Sequence, residues 1–204
     1  MVTALAFLLL IPVFTLRSIA GVDFWWLFSG AACILVISAT VADKSLLERI
    51  KDDLCRDLPA KILLAVSSAV LLYIVFLAGH LISTSLFPFA SANIQSVYAM
   101  RGDASLLRVI LLIALVIGPA EEIFWRGYLQ QRLSVRRGNV RGLILAMMLY
   151  GLVHIGSLNP MLLIAALVCG FYWGLIYLWR RSLFINCLSH VIWDLAVFVI
   201  FPFG

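Results

Sequence analysis

The sequence predicts an all-α fold class, a polytopic bundle of transmembrane helices. Of its 204 residues, 64% are hydrophobic and only 12% are charged, whereas soluble domains are nearer half apolar and a quarter charged. Apolar stretches long enough to span a bilayer recur along the whole chain. They leave no room for a second, soluble domain, so we expect a single membrane domain over residues 1–204, in a bacterial cytoplasmic membrane.

We expect about seven spans, placed where the apolar runs lie. The first run is short and lacks the basic start and the small-residue cleavage site of a signal peptide, which favours a retained helix. Residues 1–104 then hold the N-terminal spans, and residues 105–204 hold the last four. The predicted spans are residues 1–16, 23–42, 62–87, 105–123, 141–157, 161–179 and 183–203.

Basic residues between the spans predict the orientation of the chain. Twelve of the 15 Lys and Arg residues fall in loops on one side, and only Arg17, Arg101 and Arg108 fall on the other. Basic residues concentrate on the cytoplasmic side of membrane proteins. We therefore expect the N-terminus inside and the C-terminus outside. The twelve are Lys44, Arg49, Lys51, Arg56, Lys61, Arg126, Arg132, Arg136, Arg137, Arg141, Arg180 and Arg181.

Residues 44–61 form the longest charged stretch of the chain. Four apolar residues recur there at helical spacing among charges, which predicts an interfacial amphipathic helix. A plain solvated loop is the alternative. The four apolar residues are Leu46, Leu47, Ile50 and Leu54.

The net charge of +5 does not indicate a nucleic-acid partner. The basic residues follow the loops, as orientation signals do, and form no surface interleaved with aromatic residues. Membrane lipids are the partners that composition implies. The four cysteines form no C-x-x-C pair, so neither a disulfide framework nor a cysteine metal site is expected.

Ionisable residues inside the apolar spans are the candidates for function, because burying a charge in hydrocarbon is costly. The fourth predicted span ends in GPAEEIFWR. Glu122 and Arg126 are spaced i, i+4 with the acid first, which favours an ion pair. Glu121 lies about 100° further round the helix. It therefore remains free to face a cavity and act as a general base. A solvated helix end is the alternative.

The fifth predicted span contributes Tyr150 and His154, again spaced i, i+4. Glu121 and His154 are equally distant in sequence from the polar turn Arg136–Asn139. In an antiparallel helical hairpin, residues equally distant from the turn lie at the same height. We therefore expect the two side chains to meet. His80 has no partner at matching spacing and is interpreted as structural.

The last predicted span contributes His190 and Asp194, which share one helix face, and Asn186 lies one turn before them. Measured along the helix from the basic pair Arg180–Arg181, His190 lies at a depth in the membrane that is compatible with the level of Glu121 and His154. A polar contact between helices, as membrane bundles use, is the alternative.

In this order, the three motifs resemble those of the CPBP family, the CAAX-processing and bacteriocin-processing membrane proteases that include the Rce1-like enzymes. The family pattern is EE-x-x-x-R, then F-x-x-x-H, then H-x-x-x-N or H-x-x-x-D. Here these are Glu121–Arg126, Tyr150–His154 and His190–Asp194. Tyr150 replaces the Phe, and Asp194 takes the alternative to Asn. The resemblance covers about residues 105–200, and the first hundred residues match nothing.

The resemblance implies an all-helical intramembrane peptidase that acts on a protein or peptide substrate. Glu121 and His154 then activate a water molecule, and His190 with Asp194 stabilises the oxyanion. Glu122, Arg126, Tyr150 and Asn186 are supporting residues.

Metal dependence is open at this point. We expect no cofactor, since no H-E-x-x-H is present. Zinc is the alternative, with Glu121, His154 and His190 as ligands. Two other functions also remain: a proton-coupled transporter, and a non-catalytic immunity or scaffold protein.

The orientation is tested with reporter fusions along the chain. Fusions after Lys61, Arg137 and Arg181 should report a cytoplasmic location, because basic loops stay inside. Fusions near Asp103 and Gly204 should report an external one. A cytoplasmic signal at the C-terminus would contradict the seven-span arrangement.

Overall fold

The structure is a computed structural model that describes residues 2–54 and 57–203. Arg56, counted among the basic residues, and Gly204, used as an external position, lie outside the described residues. So do two residues of the predicted interfacial helix.

Helices make up nearly all of the described chain, as the composition predicts. The elements are α1 (Val2–Leu16), β1 (Ser18–Ile19), β2 (Val22–Asp23), α2 (Phe24–Ala42), α3 (Leu46–Leu54), α4 (Leu58–Leu86), α5 (Ala90–Tyr98), α6 (Leu106–Arg137), α7 (Asn139–Val153), α8 (Pro160–Arg180) and α9 (Leu183–Leu195). Short 3₁₀ turns follow α5 (Ala99–Arg101) and α7 (His154–Ser157), and a π-helical segment (Ala196–Ile200) continues α9.

Five helices of the described chain are long and apolar enough to cross a membrane: α2, α4, α7 with its 3₁₀ turn, α8, and α9 with its π segment. A sixth span is counted if α6 is taken together with α5 and its 3₁₀ turn, which meet α6 at a bend of 94°. α1 is apolar but shorter than these helices. The polytopic helical bundle is therefore present, and the count of seven stays a prediction.

The sequence analysis did not predict the β-hairpin that connects α1 and α2. Ser18 pairs with Asp23 and Ile19 with Val22 in antiparallel register. Ala20 and Gly21 have φ of 49° and 82°, as the two central residues of a type I′ turn require. Asp23 then caps α2 by accepting hydrogen bonds from the Trp25 and Trp26 amides.

α6 continues well past residue 123, where the sequence analysis ends the fourth span. It includes two π-helical segments, Ile113–Ile117 and Ile123–Gln130, on either side of Gly118–Glu122. Pro119 has no N–H to donate, which disturbs the regular helix at this point. The polar residues beyond Arg126 suggested a loop, but Gln130 is buried and donates to the Gly174 carbonyl at 2.8 Å.

The interfacial helix is shorter than the predicted stretch 44–61. α3 ends at Leu54, and from Leu58 the chain is already in α4. Leu46 is fully buried, and Asp53 accepts hydrogen bonds from the Ser182 hydroxyl (3.0 Å) and the Phe184 amide (2.8 Å) at the start of α9. α3 is therefore attached to the helix that carries His190.

Next to α3, Asp43 forms an ion pair with Arg49 at 2.9 Å. The hydrogen bond from Arg49 holds the pKa of the Asp43 carboxyl below its ordinary value. This carboxylate therefore remains ionised beside the arginine.

α1 packs closely against the 3₁₀ turn that begins at His154. A Cβ added to Gly156 would lie 2.5 Å from the Ile11 carbonyl oxygen and 2.7 Å from the Thr15 hydroxyl. Small residues allow such close approach between membrane helices. Gly156 therefore sets how near α1 can come to the turn.

Replacing Gly156 with alanine should destabilise the protein by about 1–3 kcal/mol, the usual cost of overpacking, because a backbone carbonyl has to move. The measurement is thermal unfolding of the purified protein in detergent. Gly79→Ala is the matched control, since a Cβ there meets nothing within 4 Å. Equal unfolding midpoints for Gly156→Ala and the wild type would show that the contact is not tight.

Candidate active site

All four predicted catalytic residues line one cavity of about 110 Å³ inside the bundle. Glu121, His154, His190 and Asp194 are each buried. Tyr150, predicted as a supporting residue, also lines the cavity. Three helices that are separate in sequence thus bring their polar residues to one place.

Local structure determines how each side chain reaches the cavity. Glu121 lies in the short α-helical stretch of α6 between the two π segments, and such segments are frequent at functional sites. His154 is the residue at which α7 ends and the 3₁₀ turn begins. His190 and Asp194 lie one turn apart on α9.

Glu122 makes the contacts that fix the site. Its side chain is fully buried. Oε1 accepts hydrogen bonds from Arg126 Nη1 and from His190 Nδ1, both at 2.8 Å. Oε2 accepts from Asn186 Nδ2 at 3.0 Å. The ion pair with Arg126 is the one that the i, i+4 spacing predicts, and the contact with His190 was not foreseen.

Arg126 connects this carboxylate to α8. Its Nη2 donates to the carbonyl oxygens of Cys169 (3.2 Å) and Gly170 (3.3 Å). The guanidinium carbon lies 4.9 Å from the centre of the Tyr150 ring and 5.7 Å from that of Trp173. A buried guanidinium placed over aromatic faces gains from a cation–π attraction.

Asn186 completes the same arrangement from α9. Besides Glu122, its Nδ2 donates to the Trp173 carbonyl at 2.8 Å. Asn186 therefore supports the site without lining the cavity. Its place one turn before His190 on α9 is the one that the sequence predicts.

His190 is held through Nδ1, which donates to Glu122 because a carboxylate only accepts hydrogen bonds. Its ring is stacked on Trp173 at 3.8 Å between centroids. Nε2 lies 3.5 Å from Asp194 Oδ2 and 3.8 Å from Glu121 Oε2. These two distances exceed those of ordinary hydrogen bonds. Glu122, rather than Asp194, therefore sets the orientation of His190.

His154 is fixed by its own helix. Its Nδ1 lies 2.8 Å from the Tyr150 carbonyl oxygen, so Nδ1 carries the proton and Nε2 remains the accepting nitrogen. The ring packs against Phe14 of α1, at 4.4 Å between centroids, and edge-on against Tyr150 at 5.0 Å. His154 thus has one nitrogen available as a base.

Glu121 differs sharply from its neighbour Glu122. Within residues 2–54 and 57–203, its Oε1 has no hydrogen-bond partner. Buried polar atoms usually have partners, and the exceptions often belong to functional sites. An unpaired buried carboxylate oxygen can accept a hydrogen bond from a water or a substrate.

A zinc site needs three or four side chains directed at one point. Among the described residues, no group of three or more His, Cys, Asp or Glu side chains has this arrangement. Glu121, His154 and His190 do not fit a ready zinc site in this arrangement.

Aromatic residues of the first two helices form much of the cavity wall, which the sequence analysis missed. Phe14 of α1 and Phe24, Trp25 and Phe28 of α2 line it. Trp173, which is stacked on His190, was missed as well. Aromatic residues in apolar spans look like ordinary core residues in a sequence, so no signal distinguished them. His80 lies away from the cavity and stacks on Phe203 at 5.6 Å.

Removing one partner of the Glu122–Arg126 pair should destabilise the protein strongly. Glu122→Gln and Arg126→Met should each cost about 3–5 kcal/mol, because the remaining charge stays buried without its partner. The double variant should lose less unfolding free energy than the two single variants lose in sum. The measurement is the unfolding free energy in detergent.

Asp43→Asn is the matched control for these variants. Its pair with Arg49 is about a third exposed, so its loss should cost less than about 1 kcal/mol. Equal losses of unfolding free energy on breaking the buried pair and the exposed pair would contradict the role given to Glu122.

The comparison with known families agrees with the motifs. Residues 103–196 match the family model described as "Type II CAAX prenyl endopeptidase Rce1-like". No curated protein and no solved structure matches the chain. The matched segment includes every predicted site residue, and a family so described implies a peptidase. Residues 103–196 of this chain therefore match the model of the Rce1-like CAAX prenyl endopeptidases, and the resemblance to the CPBP intramembrane proteases is confirmed.

Proposed function

We propose that this chain is an intramembrane endopeptidase that cleaves a peptide bond in a membrane-associated or membrane-delivered protein. One observation supports the proposal most directly. An unpartnered carboxylate oxygen of Glu121, an accepting nitrogen of His154 and the Nε2 atom of His190 belong to residues that line the same buried cavity. This is the set of groups that hydrolysis by an activated water requires.

The first step is the attack of water on the carbonyl carbon of the substrate. Glu121 takes a proton from the water, and Nε2 of His154 accepts the second hydrogen bond and orients it. The oxygen of the water then bonds to the carbonyl carbon, and the electron pair of the C=O bond moves to the carbonyl oxygen. Aromatic side chains form part of the cavity wall, and an apolar surrounding strengthens such polar contacts.

The tetrahedral intermediate carries an oxyanion that needs a donor. His190 has its Nδ1 held by Glu122, so a proton on Nε2 points away from Glu122 and is available to the oxyanion. Asp194, at 3.5 Å from Nε2, balances the charge of a protonated His190. A donor oriented in advance in a dry site contributes several kcal/mol to such a step.

In the last step the carbon–nitrogen bond breaks, and Glu121 returns the proton to the leaving amine. The products are a carboxylic acid and an amine, and the enzyme recovers its starting form. The proposed steps use protein side chains and one water molecule, and no metal ion takes part in them.

We also propose the seven-span orientation with the N-terminus inside. The excess of basic loop residues on one side supports the direction, and contacts at the two ends of the bundle agree with the grouping of the loops. Asp53 and Ser182, both assigned inside, are hydrogen-bonded at 3.0 Å. Asp23 and Arg108, both assigned outside, form an ion pair at 2.7 Å. α1 is then the additional, shorter span.

Two other functions make different predictions. A transporter would move ions or solute in a way coupled to pH, and a scaffold or immunity protein would act without the Glu121 carboxylate. The family match favours the peptidase over both.

The test replaces Glu121 with glutamine, which keeps the shape and removes the base. Turnover per folded molecule should fall by about 10²–10⁴-fold, as expected for the loss of a general base. Uncleaved precursors should accumulate in membranes from cells that carry only this variant. The measurements are a comparison of membrane proteomes and cleavage of an accumulated precursor by the purified protein in liposomes.

The matched control is Glu48→Gln, because Glu48 is exposed on α3 and does not line the cavity. It should process precursors like the wild type. Normal processing by Glu121→Gln would refute the proposed base. Retention of biological activity without any cleavage would indicate a scaffold.

A further inference from the structure

A second cavity lies at the end of the bundle where α3, the last turns of α6 and the start of α9 meet. Its volume is about 320 Å³. Among the described residues that line it, Arg49 and Arg181 are basic and none is acidic. The cavity is separate from the candidate active site and shares no lining residue with it.

Arg181 is oriented by neutral groups. Its Nη1 donates to Gln131 Oε1 and its Nη2 to Asn139 Oδ1, both at 2.7 Å. A guanidinium has more N–H donors than these two contacts use. Within the described part of the chain, Arg181 forms no ion pair with a carboxylate. The guanidinium is therefore held in one orientation, and no carboxylate of the described residues neutralises its charge.

Two further polar atoms around this cavity are buried without a partner. Ser134 is more than nine-tenths buried, and its hydroxyl has no hydrogen-bond partner among residues 2–54 and 57–203. The same holds for Nε of Arg49 in that part of the chain, although its Nη2 pairs with Asp43. Buried polar atoms usually have partners, so unpaired atoms beside a cavity are consistent with a bound group there. An acceptor that carries negative charge suits a cavity lined by the guanidinium groups of Arg49 and Arg181.

Apolar surface adjoins these donors. Val135 lines the cavity and is 77% exposed, and Val140, just beyond Asn139, is 68% exposed. Trp179 and Arg180 lie next to Arg181, and Trp179 is 66% exposed. Exposed aromatic and aliphatic residues beside basic ones are typical of the membrane–water interface. A ligand with both a charged group and an acyl chain fits this surface better than a soluble anion.

We propose that this cavity binds the phosphate of an anionic phospholipid headgroup. Arginine suits the site because its planar guanidinium donates two parallel hydrogen bonds to phosphate oxygens. Basic pockets between transmembrane helices on the cytoplasmic side bind anionic headgroups in this way. The lipid joins α3, α6 and α8 at the end of the bundle where most of the basic residues lie.

The test measures thermal unfolding of the full-length protein in detergent as dioleoyl phosphatidylglycerol is added. Ligands that bind only the folded state raise the unfolding midpoint. The lipid should stabilise the wild type, and dioleoyl phosphatidylcholine should do so much less. Arg181→Gln should raise the apparent dissociation constant for phosphatidylglycerol about tenfold, the loss of one charged hydrogen-bonded contact.

Arg180→Gln is the matched control, because it removes the same charge from the adjacent residue, which does not line the cavity. It should change the constant by less than about twofold. Ser134→Ala provides a second variant at the site, should Arg181→Gln fail to fold, and should weaken binding about threefold.

Four results would overturn the proposal. The first is equal weakening by Arg180→Gln and Arg181→Gln, which indicates only a diffuse surface charge. The second is equal stabilisation by phosphatidylcholine. The third is equal stabilisation by inorganic phosphate at the same concentration, which assigns the site to a free anion. An unchanged constant in Ser134→Ala also counts against it.

Discussion

Burying a carboxylate inside a membrane protein is costly unless hydrogen-bond donors and an opposite charge surround it. Glu122 meets this condition with three donors, from Arg126 on its own helix and from Asn186 and His190 on α9. Arg126 in turn binds two carbonyl groups of α8. Satisfying one buried charge therefore fixes three helices relative to one another. The orientation of His190 is a direct consequence, because its Nδ1 is one of the donors.

The same contacts explain why two adjacent glutamates differ. Glu122 faces the donors, so Glu121, about 100° away round the helix, points to the cavity, where one of its oxygens has no partner among the described residues. The π-helical segments on either side of this stretch interrupt the regular helix. The two glutamates end the short α-helical stretch between these segments. Two adjacent residues thus hold carboxylates in different surroundings, Glu122 among hydrogen-bond donors and Glu121 at the cavity.

The N-terminal half shapes the cavity without contributing an ionisable group to its lining. Phe14 packs directly on His154, and Gly156 lets α1 approach the turn that carries this histidine. The family match begins only at residue 103, so part of the cavity wall, including the aromatic residues of α1 and α2, comes from outside the matched segment. Differences in α1 and α2 can therefore change what enters the site while its polar residues stay the same.

Composition determined the helical membrane fold, because apolar runs of this length have few other stable states. The i, i+4 spacing determined the Glu122–Arg126 pair, since helix geometry alone brings such residues together. Only the tertiary structure decided which carboxylate holds His190, how far α6 extends and which aromatic residues line the cavity. These depend on contacts between segments distant in sequence, such as Trp173 with His190. Helical spacing in a sequence shows which residues share one face of a helix. Tertiary packing decides which other helix that face contacts.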